Sequence, residues 1–277
     1  MDARGTVRRG TGAALALAAW ALLAAACGRG GAWPAAAPPA PPPAPDPGYR
    51  APPEMTGLTH GADGAVALQG RAMPSAQVRL ASPAGARVET TADGSGAWSA
   101  ALGPVSEPTL YGLSAEAGGR RVQAEGYVAV MPGLPTVALL RAGAGARALD
   151  AGRTGLRILA IDMDGAGVAV VSGRAGANAP LRIMVDGAMA MEGRAEAGGR
   201  FSLTLPKALP PGPHRIQVMT MTGVTQADLQ ASAPRTPPEG PYLATPQGVN
   251  WRIDWITPGG GPQTTLLLAD ADPEARP

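Results

Sequence analysis

Two histidines, one cysteine and 21 acidic side chains are what the sequence offers for acid–base, nucleophilic or metal chemistry. Hydrolysis calls for paired carboxylates, a nucleophile beside a base, or a metal held by three or four ligands. His60 and His214 fall in different halves of the chain, and neither has a partner at zinc-type spacing. His60 with Asp63 makes a poor metal pair. Asp162-Met-Asp-Gly165 places two acids beside a glycine, as a calcium loop does, but the later bidentate glutamate is missing. A β-turn is expected there, because Asp and Gly favour turns for backbone reasons alone. Gly259-Gly-Gly261 lacks the Lys-Ser/Thr pair and the helix that follow a phosphate cradle, so it is a loop. The residue pattern therefore predicts no catalytic residue, no metal and no cofactor.

Binding chemistry has one candidate, the tryptophans of the segment from Tyr242 to Leu268. Trp251, Ile253 and Trp255 alternate with Arg252 and Asp254, so in a strand the two groups take opposite faces. Thr257-Pro-Gly-Gly-Gly-Pro262 can reverse the chain into Thr264–Leu268, which gives a hairpin. A lone hairpin is marginal in water and must dock on a larger body. Two readings follow for Trp251 and Trp255: inward-facing packing residues, or an exposed platform for sugar rings or a partner protein.

The segments that would carry such a hairpin read as short strands, with frequent turn residues and apolar positions alternating at period two. In the first half they are 66–69, 77–82, 87–91, 98–102, 110–116, 122–131 and 136–141. The second half repeats the first: Gly70-Arg-Ala-Met-Pro-Ser-Ala-Gln-Val-Arg-Leu aligns with Gly173-Arg-Ala-Gly-Ala-Asn-Ala-Pro-Leu-Arg-Ile. Without a gap, Gly96-Ala-Trp98 then aligns with Gly199-Arg-Phe201. A constant offset of this kind marks a duplicated unit. Each unit, with roughly seven strands in about 90 to 100 residues, has the size of an immunoglobulin-like sandwich.

The shared phrase, together with Pro206-Lys-Ala-Leu-Pro-Pro-Gly-Pro-His214 before a late strand, resembles the bacterial immunoglobulin-like (Big-type) domains of surface proteins. The resemblance covers most of residues 60 to 232, and the carboxypeptidase-regulatory and transthyretin-like sandwiches share the phrase too. It implies an all-β chain, two tandem immunoglobulin-like β-sandwich domains plus a C-terminal β-hairpin extension, in which Trp98 and Phe201 plug the cores. For function it implies little, since such sandwiches serve as stalks, spacers and binding modules. The boundaries expected are domain 1 at 55–141, a glycine-rich linker at 142–155 with no rigid interface implied, domain 2 at 156–232, and the extension at 233–277.

Residues 1–26 have a short basic head and an uncharged apolar run ending in small residues, the layout of a signal peptide. The run is shorter than the roughly 20 residues a membrane span needs. Cys27 follows Leu23-Ala-Ala-Ala26, which resembles a bacterial lipoprotein signal. That implies lipid attachment at Cys27, although Ala24 stands where such signals usually carry Leu and secretion after Ala26 is the alternative. Gly28, where an Asp would favour inner-membrane retention, points to the outer membrane. The proline-rich remainder of 27–54 reads as an extended tether reaching up to roughly 60 Å.

Losing residues 1–26 removes three arginines and one aspartate, which takes the formal charge from +2 to zero. A nucleic-acid binder needs a cationic surplus, so nucleic acid is not an expected partner. The expectation is a non-catalytic, lipid-anchored cell-envelope protein, on the periplasmic side of the outer membrane or at the cell surface, that meets an envelope protein or glycan. The alternatives are a carbohydrate- or peptidoglycan-binding module using Trp251 and Trp255, and a non-catalytic subunit of an envelope enzyme.

Overall fold

The computed structural model describes residues 50–60, 65–134, 137–149 and 155–269. The expected signal peptide, Cys27, nearly all of the expected tether, Asp63 and the tail beyond residue 269 lie outside the described residues, as do 150–154 of the expected linker. The described residues are all β, with nineteen strands and no helix.

Two sandwiches follow one plan. In the first, β1 (Glu54–His60), β2 (Val66–Arg71) and β5 (Ala97–Leu102) form one sheet. Facing it are β4 (Arg87–Thr91), β3 (Gln77–Ala81), β6 (Thr109–Ala117) and β7 (Arg120–Val130). In the second, β10 (Arg157–Asp164), β11 (Ala169–Arg174) and β14 (Arg200–Thr204) face β13 (Ala188–Arg194), β12 (Pro180–Val185), β15 (Gly212–Met219) and β16 (Val224–Ala231). Each is an immunoglobulin-like sandwich with its own apolar core, one around Leu68, Leu80, Trp98 and Leu113, the other around Ile161, Ile183, Phe201 and Ile216.

The duplicated phrase has a packing reason. Gly70 lies opposite Trp98 across the β2–β5 pair, and Gly173 lies opposite Phe201 across β11–β14. A Cβ at Gly70 would come within 2.4 Å of the Trp98 ring, and one at Gly173 within 2.7 Å of the Phe201 ring. Each aromatic folds over the bare backbone of the neighbouring strand, so glycine and aromatic are required together. The first strand of each repeat also bulges at the equivalent place, Met55/Gly57 and Ile158/Ala160.

Further strands then join the sandwiches to each other. The first sandwich's larger sheet continues through β8 (Ala138–Leu140) and β9 (Arg147–Ala148), the latter inside the stretch expected to be a loose linker. The second sandwich's smaller sheet continues from β10 into β19 (Pro262–Leu267), β18 (Asn250–Ile256) and β17 (Tyr242–Gln247). The extension is thus a three-stranded meander built into the domain-2 sheet, because β19 pairs with β10 from Ala160–Leu267 to Asp164–Gln263. Its apolar face meets the outer face of β6 to β9, and a third core forms there from Leu110, Ala129, Leu140, Leu159, Ile253 and Trp255.

That third core corrects the picture of two domains on a glycine-rich linker with no fixed interface. Ala146, Ala148 and Leu149 are buried within the 142–155 stretch. Gly145 has φ +78°, and a Cβ there would lie 2.5 Å from Ser202 Oγ and 2.9 Å from Val170 Cγ1. Glycine serves here for close approach to the second sandwich, not for looseness.

Trp255→Ala should lower unfolding free energy by about 3–5 kcal/mol, the usual cost of deleting a fully buried large side chain. Equilibrium urea unfolding checks this, and a loss under about 1 kcal/mol would mean that the third core contributes little.

Candidate functional site

Both tryptophans of β18 are committed to the seam between the sandwiches. Trp255 is fully buried, its indole N–H donates to Thr265 Oγ1 at 3.0 Å, and Tyr127 of the first sandwich meets its ring edge-on at 5.8 Å. Trp251 is half-buried and donates to the Pro132 carbonyl at 3.2 Å, while the Tyr242 hydroxyl donates to the Pro108 carbonyl at 3.1 Å. The exposed-platform reading of Trp251 and Trp255 is therefore corrected. Continuing the domain-2 sheet carries this face onto the first sandwich, leaving no ring face of Trp255 for a sugar.

The polar face of the same strand is buried as well. Asp254 is inaccessible to solvent and accepts from Arg252 Nη2 at 2.8 Å, Thr264 Oγ1 at 2.6 Å and Arg235 Nε at 2.7 Å. Arg252 also donates to Ser232 Oγ at 2.6 Å and the Ala233 carbonyl at 3.0 Å, which ties the 232–235 segment across the sheet. Burial pushes the Asp254 carboxyl up, but the bonds from Arg252, Thr264 and Arg235 together outweigh it and hold the pKa below the usual carboxylate range.

The two acids of Asp162-Met-Asp-Gly165 separate into different tasks. Asp164 Oδ1 accepts from the Ala166 and Val168 amides, both at 2.9 Å, and shapes the expected turn. Asp162 is buried in the seam, where it accepts from the Ala146 amide at 2.8 Å, from Gln263 Nε2 at 3.2 Å and from the Thr265 hydroxyl. Burial pushes its carboxyl up to about 6, against the lowering effect of those three bonds. Gly259–Gly261 forms the β18–β19 turn, with the Thr257 amide bonded to the Gly261 carbonyl at 2.9 Å. Among the described residues no three His, Cys, Asp or Glu side chains gather as a metal would require.

The two histidines lie in different sandwiches, His60 ending β1 and His214 in β15. His214 Nδ1 faces Asp186 Oδ2 at 2.7 Å and Nε2 faces the Pro210 carbonyl at 2.8 Å. Two acceptors call for two N–H donors, which is the imidazolium form. Burial opposes that charge, yet the bonds to Asp186 and Pro210 prevail and raise the pKa of His214. The pair closes one end of an apolar groove of about 310 Å³ between the 206–210 loop and the β12–β13 hairpin, lined by Val185, Met189, Leu205 and Pro206.

Beside this groove, the outer face of the β13–β12–β15–β16 sheet carries apolar side chains. Met189 is 51% and Val224 50% exposed, with Met184 and Met219 half-buried on the strands between them, and Met221, 91% exposed, lies in the turn between β15 and β16. Strand register places Met189 opposite Met184 and Met219 opposite Val224. The ion pair Arg182–Glu192 at 3.0 Å stands in the same cross-strand row as Met219, and Arg215–Asp228 at 2.7 Å lies farther along β15. Sequence reading passed over this surface, although five of the ten methionines fall between Met184 and Met221.

Removing Asp254 leaves a buried guanidinium without its carboxylate, so Asp254→Ala should cost about 3–5 kcal/mol, measured by urea unfolding at pH 7. Asp162 gives a pH signature. Its folded pKa lies above the unfolded value, so its contribution is fully present below about pH 4 and is lost as pH rises through about 6. Between pH 5 and pH 8 the Tm of Asp162→Asn should therefore gain on that of the wild type, and parallel pH profiles would contradict it.

No family model matches the chain, and no curated protein is similar to it. Among solved structures the chain is similar to the central fibronectin-III array of RIM-binding protein, with a TM-score of 0.26 and 14% identity over 75% of this chain and 72% of that one.

Proposed function

We propose that the chain is a non-catalytic cell-envelope lipoprotein, anchored through Cys27 and held off the membrane by its proline-rich tether. Its two fused sandwiches present the methionine-lined sheet of the second one to a protein partner. The observation that carries this reading is the half exposure of Met189 and Val224 on one sheet face, with Met184 and Met219 on the strands between them and Met221 exposed in the β15–β16 turn. Monomeric proteins seldom expose contiguous apolar side chains unless the patch is used. Methionine suits a contact surface because its unbranched, polarizable chain adapts to a partner's shape.

The third core supports the same reading from another direction. A rigid join fixes the orientation of that face relative to the N-terminal sandwich, from which the tether leads, as suits presentation at a distance. The glycan alternative would rest on Trp251 alone, which is half-buried with its N–H on the Pro132 carbonyl, since Trp255 is buried.

Envelope fractions stripped of the native protein test this with three full-length chains: wild type, Cys27→Ser, and Cys27→Ser combined with Met189→Glu and Met221→Glu. In cells, wild type should fractionate with membranes and Cys27→Ser should be released. Added to stripped envelopes, Cys27→Ser should crosslink to an envelope protein, and combining it with the two glutamate substitutions should abolish the crosslink. Retention on purified cell-wall glycan, unaffected by the methionine substitutions, would overturn the protein-contact reading.

A further inference from the structure

A second surface, independent of the methionine face, lies where β9 passes beside β11 and β14. A cleft of about 80 Å³ opens there, lined by Arg141 and Arg147 from the first sandwich's added strands and by Arg174 and Arg200 from the second sandwich. Glu196 is the one carboxylate in its lining among the described residues, while Glu54 and Asp162 also act on Arg147 and Arg141, so the cleft carries a positive excess. All four arginines are half-buried, which limits how far water can screen them.

Their donors are only partly used. Arg141 donates from Nε and Nη2 to the carbonyls of Gly145 and Ala144, at 3.2 and 2.9 Å. Arg174 Nη2 reaches the Gly198 carbonyl at 3.4 Å, and Arg200 Nε stands 3.7 Å from Glu196. Arg147 has no such partner among the described residues, and its Nε is shut off from solvent with no hydrogen bond. Burial lowers the pKa of Arg147, as do the charges of Arg200 and Arg141, with Glu196 and Glu54 opposing them. A guanidinium does not shed its proton under such pressure, so the uncompensated charge stays.

We propose that this cleft is a binding site for a phosphate group, held jointly by Arg141, Arg147, Arg174 and Arg200. A phosphate carries about 1.5 to 2 negative charges near pH 7 and more acceptor oxygens than a carboxylate, which suits several guanidinium groups at once. Its several oxygens accept paired N–H donors from planar guanidinium groups, a geometry that point-like ammonium groups do not match. The volume suits a group of a few heavy atoms, so the recognised element is the phosphate and not the body of a larger molecule. Because both sandwiches supply arginines, the bound anion reinforces the seam.

Thermal unfolding of the full chain in inorganic phosphate or glycerol 3-phosphate, with chloride at matched ionic strength, tests the site. Wild type should show a Tm that rises with the logarithm of phosphate concentration beyond the chloride control. Arg147→Gln and, separately, Arg200→Gln should lose that rise, while Arg182→Gln on the outer sheet face should keep it. A rise with both probes identifies a site open to phosphate esters such as lipid headgroups, and a rise with inorganic phosphate alone identifies a site for the free ion. Equal rises in wild type and in both cleft variants would reduce the effect to general salt stabilisation and overturn the proposal, as would no rise with either probe.

Discussion

Several strands of this protein must be covered on both faces at once, and the rest of the architecture follows from that requirement. Leu139 of β8 packs into the first sandwich, while Ala138 and Leu140 on either side of it point into the seam. In β10, Ile161 and Met163 belong to the second sandwich's core, and Leu159 and Ala160 to the seam. A sheet buried on one side only can satisfy itself within its own domain. A sheet buried on both sides needs a second body, which here is the other sandwich, with Trp255 filling the space between them.

Closing such a seam traps polar groups, and their bonding determines its register. Asp162 holds the Ala146 amide of one sandwich against Gln263 and Thr265 of the other. Arg252 and Asp254 sit on the opposite face of β18, bonded to each other and to the 232–235 segment. Desolvating these charges is costly, and their value lies in directional bonds that only one alignment of strands completes. The raised pKa of Asp162 and the lowered pKa of Asp254 express the same balance with opposite outcomes. Three neutral donors do not offset burial at the first, whereas two guanidinium groups and a hydroxyl do so at the second.

With the tryptophans consumed by the seam, the surfaces left for recognition differ in chemistry. The outer face of the second sandwich's larger sheet sets Met184, Met189, Met219 and Val224 among Arg182, Glu192, Gln217 and Gln226. The arginine cleft is small, cationic and under-bonded, and it exists only because β9 lies against β11 and β14. One surface belongs to a single domain and the other to the junction, so disturbing the seam would affect the second far more than the first.

The sequence by itself determined whatever depends on neighbours along the chain or within one repeat. Period-two alternation located β2 to β8 to within a few residues, and the paired Gly70/Trp98 and Gly173/Phe201 phrases disclosed the duplication because each encodes a cross-strand contact inside one sandwich. The alternation of Trp251, Ile253 and Trp255 with Arg252 and Asp254 also correctly separated the two faces of β18. Only the tertiary structure decided what covers those faces. A glycine-rich stretch reads as slack until its partner is known, and Gly145 is needed because Val170 and Ser202 approach it from the other sandwich. Likewise, Arg141 and Arg147 are far from Arg174 and Arg200 along the chain, and packing of β9 beside β11 across the junction brings their charges together.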